Sequence, residues 1–346
     1  MRSNEAMEEL RFSGKNTTVY FDADFSLLEE KLKSDSVIYI TDENVFNSHR
    51  EKFFAKKVVV IKPGEKFKNQ ETANYIIDQL IPLDADRGSF IVGVGGGVVT
   101  DITGFVASIY MRGVKFGFVP TSILAMVDAS VGGKNGIDIG VYKNLVGVIN
   151  HPAFILYDYS FLKTLPDGEW ISGFAEIIKH SCIRDREMFH ELQKFSIKKF
   201  QSSATDTAGI IERNVHIKYN VVANDEFEKG DRKLLNFGHT IGHAIENTTR
   251  LAHGKAISIG MHVACKISEV INHFDTSQTK LVTDLLQQYQ LPVAFDFDKE
   301  ETWKILLHDK KKTGSDMNFI VLDSIGQASV KKIPLAQLHN IFKSIE

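Results

Sequence analysis

Cysteine is scarce in this chain of 346 residues: Cys182 and Cys265 are the two present. Both lie in helical, partly apolar settings with no Cys-x-x-Cys spacing, which excludes a disulfide framework and reads as reduced thiols. Also lacking is any apolar run long enough to span a bilayer. The opening Met1-Arg-Ser-Asn-Glu-Ala-Met-Glu-Glu9 is acidic and has no apolar core, so no signal peptide is expected. Neither sign of charge is in excess, with 44 acidic against 41 basic residues, so no global field recruits nucleic acid or a membrane surface. A nucleophile elbow, a Cys-His signature, a P-loop and the GxGxxG fingerprint are all missing. No internal repeat or low-complexity tract is visible. The expectation is a cytoplasmic, globular protein, which the 43% hydrophobic and 25% charged content fits.

The first half alternates β-branched runs with helical patterns. Val37–Ile40, Val58–Ile61, Phe90–Val94, Phe116–Val119 and Phe154–Tyr157 read as buried strands. Ala73, Ile76, Ile77 and Leu80 recur at helical spacing between the second and third. This predicts an α/β, Rossmann-like parallel sheet with helices on both faces. Beyond about Pro166 the periods turn helical over Glu169–Cys182, Glu187–Phe200, Ile210–Ala223, Leu234–Thr248 and Ala256–Asn272. A late hairpin is expected from Asn318–Leu322 and Ala328–Lys331. The predicted division is an α/β domain over residues 1–163 and a mainly α-helical domain over 164–346.

Within the helical half, His239, His243 and Glu246 fall at i, i+4 and i+7, and so project from one helical face. His253 follows after a short loop. Histidines so spaced, completed by an acidic group from another helix, are a common way to hold a divalent metal. Glu176, with Lys179 three residues on, is the acidic candidate.

In the α/β half, the strand Phe90–Val94 runs into Gly95-Gly96-Gly97 and then a helix carrying Asp101. Glycines there let backbone approach a diphosphate while the helix N-terminus faces the anion. A tight turn needing positive φ would use glycine too, but three in succession exceed that need. Asp42 follows the first clear strand, where an acidic group can accept from ribose hydroxyls. Glu65 and Lys68 follow the second, one suited to a ribose or adenine edge and the other to a phosphate. Arg112, Asp128, Gly132-Gly133-Lys134, Lys143-Asn144, Lys179, Lys218, Arg232 with Asn236, and Lys310-Lys311-Lys312 complete the distinctive positions. Such cations in a slightly acidic chain suggest a small anionic ligand bearing phosphate or carboxylate.

The blocks GGGVVTDITGFVASIYMRG, PTSILAMVDASVGGKNGID, KNLVG, SGFAEIIKH and LLNFGHTIGHAIE, the last followed by HGKAISIGM, resemble in order and joint occurrence the 3-dehydroquinate synthase family. The resemblance runs from Asp42 to the Lys310 region. It implies an NAD-binding Rossmann-like domain, a helical metal domain and a homodimer. It places zinc, or cobalt, on Glu176, His239 and His253, and makes His243 a substrate-side group. It implies that Asp42, Glu65, Lys68, Gly95, Gly96, Gly97, Asp101, Thr121, Ser122, Lys143, Thr164 and Leu165 surround NAD. Asp128, Lys134, Asn144, Lys179, Lys218, Arg232, Asn236 and His243 would hold a phosphorylated sugar acid. Of these, Lys134, Lys179, Lys218, Arg232, Asn236 and His243 would be catalytic, and Arg112 would reach the phosphate bound by a neighbouring subunit. One lysine of 310–312 would also contact substrate. Three positions depart from the family pattern: Thr100 where glycine is usual, and Ser122 and Asn135 where threonine is usual. Two other readings are a cyclase acting on another heptulose phosphate and a metal-dependent NAD(P) polyol-phosphate dehydrogenase.

Overall fold

The computed structural model describes residues 6–32, 36–140, 142–249, 251–307, 312–313 and 315–345. It divides into two compact units, Met1–Glu169 with Thr207–Tyr219, and Trp170–Asp206 with Asn220–Glu346.

The first unit contains β1 (Ala6–Arg11), β2 (Asn16–Phe21), α1 (Leu27–Lys31), β3 (Val37–Asp42), α2 (Glu43–Ser48), β4 (Lys57–Ile61), α3 (Gln70–Leu80), β5 (Phe90–Gly95), α4 (Gly97–Ile109), β6 (Lys115–Pro120), β7 (Lys134–Ile139), β8 (Tyr142–Ile149) and β9 (Phe154–Leu156). Among the described residues one sheet has the order β1-β2-β9-β6-β5-β3-β4. Its β2–β9–β6–β5–β3–β4 part is parallel and β1 pairs antiparallel with β2. Side chains alternate across the sheet as a period of two requires. Ile38, Ile40, Ile91, Phe116 and Phe118 join a core with Ile76 and Leu80 of α3 and Ile102, Phe105 and Val106 of α4. Tyr39, Val92, Val94 and Val119 face another core with Leu27 and Leu28 of α1 and the helical-turn residues Phe53 and Phe161. The expected parallel sheet is thus present, with its five anticipated strands as β3, β4, β5, β6 and β9. β7 and β8 form a separate antiparallel hairpin. That hairpin and β1–β2 were not anticipated from the sequence pattern.

The second unit is mostly helical. It is built from most of α5 (Asp167–Arg184), α6 (Arg186–Leu192), α7 (Ile197–Ser202), parts of α8 (Ala204–Asn224), α9 (His239–Thr249), α10 (His253–Asn272), α11 (Thr276–Gln288), α12 (Lys299–Leu306) and α13 (Leu335–Ser344). The strands β10 (Lys312–Thr313), β11 (Asp316–Ser324) and β12 (Gln327–Pro334) make a small antiparallel sheet, which contains the expected late hairpin. Two expected helices are corrected. Glu187–Phe200 breaks into α6 and α7, with Ser196 in extended backbone as the N-cap of α7. Leu234–Thr248 is helical as α9 only from His239, because Gly238 takes φ +77° and ends a tighter turn over Asp231–Asn236.

Candidate functional site

In the second unit, two close backbone approaches assemble the metal-ligating candidates. α9 packs on α10 where Gly238, Gly242 and Gly260 meet, and a Cβ at Gly260 would lie 2.1 Å from the Gly238 carbonyl oxygen. α10 also meets α5 at Gly254, where a Cβ would lie 2.5 Å from Ser172 Cα, and its N–H donates to Ser172 Oγ at 3.1 Å. These contacts bring His239, from the start of α9, and His253, from the start of α10, to the Glu176 side chain one turn beyond Ser172. Glu176 Oε1 lies 3.4 Å from His239 Nε2 and 3.5 Å from His253 Nε2. It is a buried oxygen with no aligned hydrogen bond, although both imidazole nitrogens point toward it.

The remaining atoms of these three residues are held by neighbours. Glu176 Oε2 accepts from the Lys179 ammonium. His239 Nδ1 lies 3.1 Å from the Phe237 carbonyl oxygen, and His253 Nδ1 lies 3.4 Å from Glu246 Oε2. With each Nδ1 set against an oxygen, each Nε2 is left facing Glu176, the arrangement that orients metal-bound histidine. Burial pushes the Glu176 carboxyl up, but the Lys179 ammonium and His239 outweigh it and hold Glu176 well below the usual carboxylate range. Burial lowers His239 more than Glu176 raises it, favouring neutral imidazole. His253 also meets a burial penalty, yet the neighbouring Glu176 and Glu246 carboxylates carry it up to about 10. A cation at Nε2 would displace that proton. One ionised carboxylate and two imidazoles, with ligand atoms within 4.8 Å of one another, fit a divalent metal. The His243 and His253 rings are 6.0 Å apart, and His243, Glu246 and His253 form a second possible donor group.

The second unit also holds Arg232 and Asn236, on the turn Asp231–Asn236. Arg232 is 2% exposed, its N–H donates to Asp225 Oδ2 at 3.0 Å, and its guanidinium donates to the Glu226 carbonyl oxygen. Asn236 donates to Glu228 Oε1 at 2.6 Å. Motif reasoning did not single out the acidic loop at 225–228 that positions both; only its acidic composition marked it. Lys310 and Lys311 lie outside the described residues, and Lys312 opens β10.

In the first unit, Gly95, Gly96 and Gly97 join β5 to α4, with Gly96 as the N-cap. None of the three has positive φ. Their demand is for space: a Cβ at Gly95 would lie 2.5 Å from Val99, and one at Gly96 would lie 3.4 Å from Ser122 Oγ. No side chain caps α4, so its first N–H groups face an anion-compatible edge. Thr121 N–H donates to the Gly95 carbonyl, and Ser122 Oγ accepts from Ala125 N–H, so β6 delivers both hydroxyls beside the glycine turn. Asp42 caps α2, its Oδ1 accepting from Asn44 and Val45 N–H. Thr164 Oγ1 meets His49 Nε2 at 2.7 Å, and Leu165 N–H donates to the Leu162 carbonyl at 3.2 Å.

Four expected nucleotide residues and one expected substrate residue share a network. Lys68, 4% exposed, donates to Asp101 and, at 2.6 Å, to Asn144 Oδ1. Lys143 donates to Glu65 Oε1 at 2.8 Å. Burial opposes the Lys68 charge, but Asp101, Glu65 and Asp138 raise its pKa above the ordinary lysine value. Lys218, from the part of α8 in this unit, donates to the Asp128 carbonyl at 2.6 Å and to its Oδ1 at 2.8 Å. Lys134 is exposed at the start of β7, after Gly132 and Gly133 at φ +104° and +69°. Asn135 steadies that turn by donating to the Gly133 and Asn150 carbonyls, each at 2.8 Å. Thr100 turns its hydroxyl back to the Gly97 carbonyl at 3.0 Å. Arg112 is exposed in a run of positive φ with Met111 and Gly113.

Residues 58–172 match the 3-dehydroquinate synthase N-terminal family and residues 173–312 the C-terminal one. The 3-dehydroquinate synthase of Leptospira interrogans is 38% identical over 325 residues, covering 90% of each chain. That of Thermodesulfovibrio yellowstonii is 38% identical over 304 residues, covering 86% of this chain and 85% of its own. Among solved structures, 2-deoxy-scyllo-inosose synthase complexed with carbaglucose-6-phosphate, NAD+ and Co2+ superposes with TM-score 0.85 at 24% identity, over 97% of this chain and 99% of that one. The 2-epi-5-epi-valiolone synthase of Streptomyces hygroscopicus, with NAD+ and Zn2+ bound, gives TM-score 0.85 at 21% identity, over 99% of each. These two share the fold. The family matches span both units and the curated relatives nearly the whole chain, so the chain belongs to the 3-dehydroquinate synthase family.

Proposed function

We propose that this chain converts 3-deoxy-D-arabino-heptulosonate 7-phosphate into 3-dehydroquinate and inorganic phosphate, with NAD and a divalent metal, zinc or cobalt, as its cofactors. The observation that carries this reading is the cluster of buried Glu176 with half-buried His239 and His253 in a chain of this family. The reaction comprises oxidation of the C5 alcohol, loss of phosphate beside the new ketone, return of the hydride, and ring opening with intramolecular aldol closure. The metal supplies Lewis-acid polarisation of substrate oxygen when bound. NAD supplies a hydride acceptor regenerated in every turnover.

Each unit's residues then have separate work. In the first, the Gly95–Gly97 turn and the α4 N-terminus would cradle a diphosphate, with Thr121 and Ser122 beside it. Asp42 and Glu65 would accept from ribose or adenine, while Lys68, Asp101, Lys143, Thr164 and Leu165 would complete the nucleotide site. Lys134 and Lys218 would screen developing negative charge, with Asp128 and Asn144 orienting hydroxyls. In the second unit, Lys179, paired with Glu176, would take part in the same screening. Arg232 and Asn236 would hold carboxylate and hydroxyl groups, and His243 would relay a proton near neutral pH. The leaving phosphate takes the neighbouring C–H proton itself, so no separate base is required. We further infer a homodimer in which Arg112 serves the partner's substrate; exposed Ile139, Tyr142, Leu145 and Ile149 on the β7–β8 hairpin support it. The unpaired, buried Cys182 and Cys265 support a reducing, cytoplasmic setting. No described helix is long and apolar enough to cross a membrane.

The test is phosphate release from the heptulosonate phosphate with substoichiometric NAD+, with and without chelator, while absorbance reports NADH. Many phosphates per NAD, no accumulated NADH and loss on chelation are expected. Stoichiometric NADH from a polyol phosphate without phosphate release would overturn the reading.

A further inference from the structure

Asp138 closes the GGKNGID motif but was given no role among the site residues, yet three contacts join it to two candidate site residues in a closed ring. Its N–H donates to the Lys68 carbonyl at 2.8 Å. The Lys68 ammonium donates to Asn144 Oδ1 at 2.6 Å. Asn144 N–H donates to Asp138 Oδ1 at 2.7 Å. The other carboxylate oxygen lies 3.7 Å from the Lys143 ammonium, which Glu65 holds from its far side at 2.8 Å.

The backbone is shaped for this arrangement. The β7–β8 register shifts between Ile137 and Ile139, so Asp138 sits in an irregularity of the kind that re-aims a side chain. It also bridges in parallel to Asn69, tying the hairpin to the segment after β4. Asn144 has φ +49°, in the left-handed region that asparagine tolerates better than most residues with a Cβ. The Asp138 carboxylate accepts from the N–H of that left-handed residue, and the same residue's amide oxygen accepts from Lys68. With its side chain 12% exposed, Asp138 is shielded from competing water.

We propose that Asp138 is a positioning residue for the reaction: it fixes the Asn144 backbone, and through it the Lys68 ammonium, without touching substrate itself. This rests on the function proposed above. It explains why Lys68 and Asn144, which the family resemblance assigns to different ligands, form one unit: cofactor and substrate groups share a support.

The experiment compares Asp138→Ala, Asp138→Asn, Asp138→Glu, Asn144→Ala and the Asp138→Ala/Asn144→Ala pair in full-length, metal-loaded protein. Asp138→Ala is expected to lower kcat/KM roughly 10–100-fold through misplacement of Asn144, with thermal stability largely kept. Asp138→Asn, whose amide oxygen still accepts from Asn144 N–H, should recover most of it. Asp138→Glu, with its oxygens displaced by about one C–C bond of ~1.5 Å, should not. The double variant should be no worse than Asn144→Ala alone, the signature of two residues acting as one. Activity of Asp138→Ala within about twofold of the parent, or multiplying losses in the double variant, overturns the proposal. Should Asp138→Ala fail to fold, equal activity of the Asn and Glu variants does the same. A parent that releases no phosphate sinks the functional reading instead. The Asp138 inference is then decided by NAD titration: weaker binding in Asp138→Ala with recovery in Asp138→Asn supports it, and unchanged binding overturns it.

Discussion

Glu176 does two things with one carboxylate. Oε2 neutralises the Lys179 ammonium while Oε1 faces the two imidazoles, and both Glu176 and Lys179 are at most 1% exposed. The two roles separate by mutation. Glu176→Gln removes a proposed metal ligand and leaves a buried ammonium without its countercharge, a loss of about 3–5 kcal/mol. His239→Ala removes a proposed ligand but leaves the ion pair intact. Both variants are expected to lose bound metal and turnover, with the larger fall in Tm for Glu176→Gln; elemental analysis and thermal melts check this. Full metal content in both variants would remove these residues from the ligand set. The pairing of Glu176 with Lys179 was legible as an i, i+3 spacing. The turning of both histidine Nδ1 atoms toward oxygen was not, because Glu246 and the Phe237 carbonyl are set by three-dimensional packing.

At the level of elements, the site depends on how closely three helices approach. Helical spacing in the sequence placed His239, His243 and Glu246 on one face. It could not show that α9 begins only at His239, because apolar Leu234, Leu235 and Phe237 continue the pattern through a break made by Gly238. The same glycine receives α10 at Gly260. Gly260→Ala would drive a Cβ to 2.1 Å from the Gly238 carbonyl, so the helices must separate. A stability loss of about 1–3 kcal/mol is expected, together with weaker metal affinity as His253 moves from His239. Gly209→Ala in α8 is the contrast, since a Cβ there meets nothing within 4 Å. It should stabilise by about 0.5–1 kcal/mol through helix propensity. Denaturant melts and zinc titration of the two variants measure both effects. Equal behaviour would mean that the α9–α10 contact does not set the ligand geometry.

For the molecule as a whole, sequence pattern reads most clearly where apolar side chains alternate into a core. β3, β5 and β6 do so, their residues dividing between the two faces of the sheet. β8 does not: most of Tyr142–Ile149 is exposed, so neither its period nor its burial marked it as a strand. Thr207–Tyr219, inside the continuous helix α8, belongs to the first unit. The exposure of β8 has a consequence for assembly. Ile139 and Tyr142, paired across the hairpin, are 39% and 47% exposed, and Leu145 is 45% exposed. A monomer would leave this apolar surface in water, whereas a second copy would cover it. Tyr142→Glu places a charge where that contact would exclude water, at a position exposed in the single chain. The parent is expected to sediment at twice the chain mass of 38.9 kDa and the variant at that mass. If Arg112 serves the partner's substrate, turnover in Tyr142→Glu should fall as far as in Arg112→Ala, because separating the subunits removes the same guanidinium. A monomeric parent with full activity would rule out both the dimer and the crossing arginine, and a monomeric but active variant would confine Arg112 to its own subunit.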